Sequence, residues 1–129
     1  MRAPPKIEFI ASCLQQCPGV GAVTLRGALA QLAREGLSPD EFLNLDDRAL
    51  QSRFGLKPPA VSALRQPDEA TLAMWDRLRA DYVKILVLGQ LGYPPRLASL
   101  IPEAAPPLLF VLGNPDLFQS PAVGFCGSR

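Results

Sequence analysis

The stretch "CPGVGAVTLRGAL", residues 17–29, decides how the first half of the chain is read. Ile7, Ile10, Leu14 and Cys17 recur at helical spacing and stop at Pro18-Gly19. Val23, Leu25, Ala28, Leu29 and Leu32 resume that spacing and stop at Gly36. Helix, Gly-hydrophobic-Gly, helix is the pattern of a helix-hairpin-helix. Its glycines let the backbone turn tightly, and its N–H groups point outward at the start of the second helix, where the helix dipole favours a phosphate oxygen. Gly19, Val20 and Gly21 are therefore candidate backbone contacts to nucleic acid, with Arg26 as the nearby cation. A second stretch, "RFGLKPPAVSAL" (53–64), is a degenerate echo with Gly55 and Lys57 in its hairpin. The same glycines would also serve a small helical bundle that only needs to turn. Residues 1–80 carry ten Lys+Arg against nine Asp+Glu, and this near-neutral balance suits that alternative, a helical module for protein contacts with no DNA binding of its own.

Working outward, "SPDEF" (38–42) predicts a helix start: Ser38 caps, Pro39 fits the first helical position and Glu41 completes a capping box. Asp46 opens a short helix that stops at Gly55, and Pro67-Asp68-Glu69 opens a longer one through Trp75 to about Tyr82. Trp75 and Tyr82 then fall on one helical face, where such residues serve packing more often than base stacking. Past residue 80 the pattern changes. Val83, Ile85 and Val87 alternate along a strand, and "YPPRLASL" (93–100) is a turn with a short helical piece. "PPLLFVLG" (106–113) and "AVGFCG" (122–127) are two further strands, separated by a loop with Asn114-Pro115-Asp116 at its turn. The expected organisation is a helical module over 1–80 and the start of an α/β sheet domain over 81–129.

Composition narrows the chemistry. The 129 residues are 48% hydrophobic with a net charge of +1, which excludes both a disordered chain and a protein that coats nucleic acid through bulk positive charge. With no histidine, a Ser-His-Asp or Cys-His mechanism and a His-ligated metal are impossible within the chain. Cys13, Cys17 and Cys126 form no disulfide framework and suit a reducing cytosol. Cys13 and Cys17 would share one side of a helix, where small buried residues are a better account than a metal pair lacking further soft ligands. Asp46-Asp47 fits a helix start rather than a metal site. No signal peptide or membrane span is present in these residues, so a cytoplasmic protein without metal, cofactor or catalytic residues is expected.

At "VGFCGSR" (123–129) a buried strand over Val123–Cys126 runs into Gly127-Ser128-Arg129. In open α/β sheets such a turn holds phosphates: Gly lets the backbone approach, Ser brings a hydroxyl, and Arg brings a planar fork. Ser128 has no base to activate it as a nucleophile. The whole stretch "YPPRLASLIPEAAPPLLFVLGNPDLFQSPAVGFCGSR" (93–129) resembles the DNA-processing protein A family of bacteria (DprA, also called Smf). The resemblance lies in Tyr93-Pro94, Leu97, Pro106-Pro107 with Leu108 and Leu109, Gly113, Pro121 and the closing Gly127-Ser128-Arg129, in that order. Pro18-Gly19-Val20-Gly21 is similar to the family's leading module, described as SAM-like or helix-hairpin-helix. The resemblance implies a Rossmann-like domain without known catalysis that works as a homodimer. It also implies a protein of natural transformation and recombination, which binds incoming single-stranded DNA and helps load the RecA recombinase onto it. Gly127, Ser128 and Arg129 would lie in the DNA pocket. The rest of that domain, with its dimer and recombinase surfaces, would lie beyond residue 129.

Overall fold

The computed structural model describes residues 6–121. In chain order the elements are α1 (Ile7–Gln16), α2 (Ala22–Glu35), α3 (Pro39–Leu43), α4 (Asp47–Phe54), α5 (Pro58–Arg65), α6 (Glu69–Ala80), β1 (Lys84–Val87), α7 (Pro95–Leu100), β2 (Leu108–Val111) and a 3-10 turn (Pro115–Gln119). The strand expected over Val123–Cys126 lies outside the described residues.

Polar side chains close the helix starts where the sequence places them. Ser38 Oγ accepts the Glu41 amide at 3.1 Å while Glu41 Oε1 accepts the Ser38 amide at 3.0 Å, a complete capping box. Asp46 Oδ1 accepts the Ala49 amide at 2.8 Å and Asp68 Oδ1 that of Thr71 at 2.7 Å. The accepted amides hold the carboxyls of Glu41 and Asp68 below their ordinary pKa. One boundary differs from the sequence reading. The helix through Trp75 stops at Ala80, and Tyr82 takes up φ 59° in the turn beyond it. Trp75 and Tyr82 therefore do not share a helical face. Trp75 packs edge-to-face on Phe9 with ring centroids 5.2 Å apart, whereas Tyr82 is 84% exposed.

Helix α1 is the hub, buried along Ile10, Ala11, Cys13 and Leu14 and touching α2, α5, α6 and β1. Helix α2 contributes Leu25, Ala28, Leu29 and Leu32, an i, i+3, i+4, i+7 stripe. Phe42 and Phe54 meet at 88° with centroids 4.9 Å apart and bring α3 and α4 into the same core. Cys13 and Cys17 are both buried free thiols in that core. Burial, helped by the negative charge of Asp68, pushes the Cys13 thiol up to about 11.

β1 and β2 pair antiparallel, with Lys84 opposite Val111, Ile85 opposite Phe110, Leu86 opposite Leu109 and Val87 opposite Leu108. Strand alternation puts Ile85, Val87, Leu108 and Phe110 on one face. Val87 and Leu108 on that face join the helical core and Ile85 packs against it, so one core runs across residue 80. The described residues thus form a mostly helical α/β fold with a two-stranded antiparallel sheet.

Candidate nucleic-acid interface

Residues 17–21 make a tight corner. The Cys17 amide bonds back to Leu14 at 3.2 Å and the Val20 amide to Cys17 at 3.2 Å. Gly19 sits at φ +88°, a conformation that a side chain at this position would strain. Gly21 is the N-cap of α2 in extended conformation, with no side chain capping the helix. The first helical bond is donated by Leu25 to Gly21 at 3.0 Å. The amides of Ala22, Val23 and Thr24 precede it and have no intrahelical acceptor. Gly19, Gly21, Ala22 and Val23 are exposed, while Val20 packs its side chain onto the core. What the hairpin offers an anion is therefore a set of N–H groups on Ala22–Thr24 at the positive end of a fourteen-residue helix. The sequence places the outward N–H groups at the start of the second helix and names Gly19–Gly21; the open donors themselves are on the three residues that follow. Their position directly after a glycine N-cap is the signal that locates them.

The second hairpin has the same shape and different chemistry. Gly55 (φ +69°) turns the chain after α4, and Lys57 is the N-cap of α5. Pro58 and Pro59 follow and carry no N–H. The Ala60 amide already bonds to Lys57 at 2.9 Å. No backbone donor is left at this helix start, so Lys57 alone would face an anion there.

Arg26 does not point into the first hairpin. Its Nη1 donates to the Ala105 carbonyl at 3.2 Å, tying α2 to the loop before β2. Tyr93 is buried beside it and donates its hydroxyl to the Pro106 carbonyl at 2.8 Å. Burial raises the Tyr93 pKa, and the charge of Arg26 works against that rise. The Leu88 amide reaches the Pro107 carbonyl at 2.9 Å. Tyr93-Pro94 and Pro106-Pro107, thirteen residues apart between Tyr93 and Pro106, are thus joined, and Arg26 links them to the hairpin's second helix.

Gly127, Ser128 and Arg129 lie outside the described residues. No protein-family model, curated protein or solved structure matches the chain. Among the described residues no three of Cys, Asp and Glu gather to hold a metal, and no helix is long and apolar enough to cross a membrane.

Proposed function

We infer that the chain is a non-catalytic, single-stranded DNA-binding part of a DprA-like protein of natural transformation and recombination. On this reading residues 1–80 are the SAM-like or helix-hairpin-helix module, and residues 81–129 begin a Rossmann-like domain. That domain would work as a cytoplasmic homodimer and help load RecA onto the DNA. The observation that carries the reading is the open helix start at Ala22–Thr24, behind a glycine corner of the kind that lets a phosphate approach the backbone. Support also comes from the junction of Arg26, Tyr93, Ala105 and Pro106, which ties the helix after the Pro18–Gly21 hairpin to the stretch over 93–129. Gly127, Ser128 and Arg129 are the second proposed contact, with Arg129 as the charge-assisted donor.

A fluorescence-anisotropy titration of a labelled single-stranded oligonucleotide, at low and moderate salt, tests this against the intact chain and Arg129→Ala. Salt-sensitive binding is expected, and its loss in Arg129→Ala assigns the terminal loop. Binding that survives the change but falls in Gly21→Asp assigns the hairpin. No binding at either salt refutes a DNA role for this chain.

A helical module for protein contacts is the second reading, and one observation favours it. Five of the module's arginines are already engaged by the chain itself, among them Arg34, which donates to Gln31. Arg26 bonds to Ala105, Arg53 pairs with Glu35, Arg65 pairs with Asp47 at 3.2 Å, and Arg77 pairs with Asp81 at 3.8 Å. A protein interface would keep its affinity at salt concentrations that strip phosphate contacts.

A further inference from the structure

While those arginines are engaged, Lys6, Arg79 and Lys84 make no ion pair among the described residues, and all three line one cavity. The cavity has a volume of about 270 Å³ and opens where the start of α1, the end of α6 and β1 meet. Trp75, Leu78, Val83 and Ile85 form its apolar wall, and Glu8 is its one acid. Arg79 and Lys84 are close in the chain, and the fold brings Lys6 to them.

We propose that this cavity binds one nucleotide of a single strand, its base against Trp75 and its phosphate among Lys6, Arg79 and Lys84. An indole in a cationic recess combines the two elements of sequence-tolerant single-strand binding, a stacking platform and a positive groove along the backbone. Phe9 holds the indole edge-to-face at 5.2 Å, which orients the platform before any ligand arrives. Of the two helix ends around the cavity, the start of α1 favours an anion and the end of α6, its negative pole, opposes one. Helix α1 begins at Lys6 with no side-chain cap, and its first helical bond is the Ile10 amide to Lys6 at 3.1 Å, so the amides of Ile7 to Phe9 add positive potential. Three of the closing carbonyls of α6 are engaged: Arg77, Leu78 and Arg79 accept amides from Asp81, Val83 and Tyr82 at 2.9, 2.9 and 3.1 Å. Asp81 is paired with Arg77, which leaves Glu8 as the opposing charge on the cavity wall. The volume lies just under the roughly 300–1,000 Å³ of ordinary small-molecule sites, room for one ring and its phosphate rather than a dinucleotide.

Tyr82 adds a second indication. It stands between Arg79 and Lys84 in the left-handed region, and the residue is 84% exposed. A bulky residue held there is strained, and strain of this kind concentrates at functional sites. A solvent-facing aromatic beside the cavity would stack the neighbouring base. The inference goes beyond the hairpin reading, because the cavity and the hairpin lie at opposite ends of α1, roughly 15 Å apart for a ten-residue helix.

Trp75 is the only tryptophan in the chain, so its fluorescence reports on this cavity alone. The full chain is titrated with an oligothymidylate of about ten nucleotides, a length within the span of one binding groove. Trp75 fluorescence is read alongside the anisotropy of a labelled copy. Quenching is expected, with affinity roughly tenfold weaker in Lys84→Ala and in Arg79→Ala and the log–log salt slope shallower by about one in each. Glu8→Gln is expected to tighten binding, and circular dichroism checks that each variant is folded. Rising anisotropy with unchanged Trp75 fluorescence, or unaltered affinity in both folded cation variants, overturns the cavity while leaving the hairpin reading standing. Equal quenching by polyglutamate overturns the nucleotide assignment, since charge alone would then suffice. Flat signals in both channels overturn both readings.

Discussion

Replacing Gly21 with Asp should move stability and DNA affinity in opposite directions. Gly21 has φ −92° and ψ 176°, the conformation of an N-cap residue, and a Cβ added there meets nothing within 4 Å. The new carboxylate would accept an amide from Val23 or Thr24, worth a few tenths of a kcal/mol over glycine. Its charge against the helix dipole adds about 0.3–1 kcal/mol. Lower chain entropy in the unfolded state adds about 0.4–1 kcal/mol. Together these come to roughly 1–2 kcal/mol, a rise of about 3–8 °C in the melting midpoint for a chain of this size. If those amides hold a phosphate, the same carboxylate removes a hydrogen bond to a charged group, about 1.5–3 kcal/mol, and sets a like charge beside the ligand. Affinity for a single-stranded oligonucleotide should then fall more than tenfold. Gly21→Ser separates the two effects, because it caps without charge and should stabilise while weakening binding less. Thermal unfolding by circular dichroism and anisotropy titration at fixed salt measure both quantities on the same preparations. A Gly21→Asp protein that is more stable yet binds DNA with unchanged affinity refutes the hairpin as a phosphate site. One that is less stable refutes the open helix start itself.

Four further outcomes are expected. Leu50→Ala, at a residue with 0% exposure, should cost about 2–5 kcal/mol by urea denaturation, since it empties core volume between α4 and its neighbours. Tyr93→Phe should cost about 1–2 kcal/mol with an unchanged denaturant slope, because only the bond to Pro106 is lost. Native Cys13 should resist iodoacetamide at neutral pH, its thiol lying near 11, and should label at the rate of unfolding when peptides are followed by mass spectrometry. Glu41 and Asp68 have folded pKa values below their unfolded ones, so their stabilisation is present above the unfolded pKa and is lost as pH falls through the folded value. Melting temperature should fall on acidification through the carboxylate range, and Glu41→Gln with Asp68→Asn should flatten that fall.

Local chemistry was readable from the sequence wherever one residue decides one bond. Ser38 with Glu41, Asp46 and Asp68 all cap as their positions predict, because an N-cap depends on a side chain and an amide three residues away. Helix periodicity likewise located α1 and α2. The end of α6 was less legible. Tyr82 continues the apolar spacing, but the Asp81, Tyr82 and Val83 amides turn back onto Arg77, Arg79 and Leu78 and close the helix early. Nothing in a short apolar run distinguishes antiparallel from parallel pairing, so the β1–β2 register had to come from the fold.

The two hairpins show most clearly what a pattern leaves out. Both read as helix, glycine turn, helix, and both fold that way. Their capacity for an anion is decided one step further on, at the first three helical positions. Ala22, Val23 and Thr24 bring three backbone donors to that place. Pro58 and Pro59 bring none, and the Ala60 amide is already engaged by Lys57. A helix start made by prolines is preorganised for packing, while one made behind an uncapped glycine leaves its donors to solvent or to a ligand. The resemblance between the stretches is therefore one of backbone shape. The difference between them is that open amides stand at the first helix start and none at the second, which is why the proposed phosphate contact is placed at the first. The cationic cavity was out of reach of any such pattern, because Lys6 is separated from Arg79 and Lys84 by the whole helical module and becomes their neighbour only when α1, α6 and β1 pack.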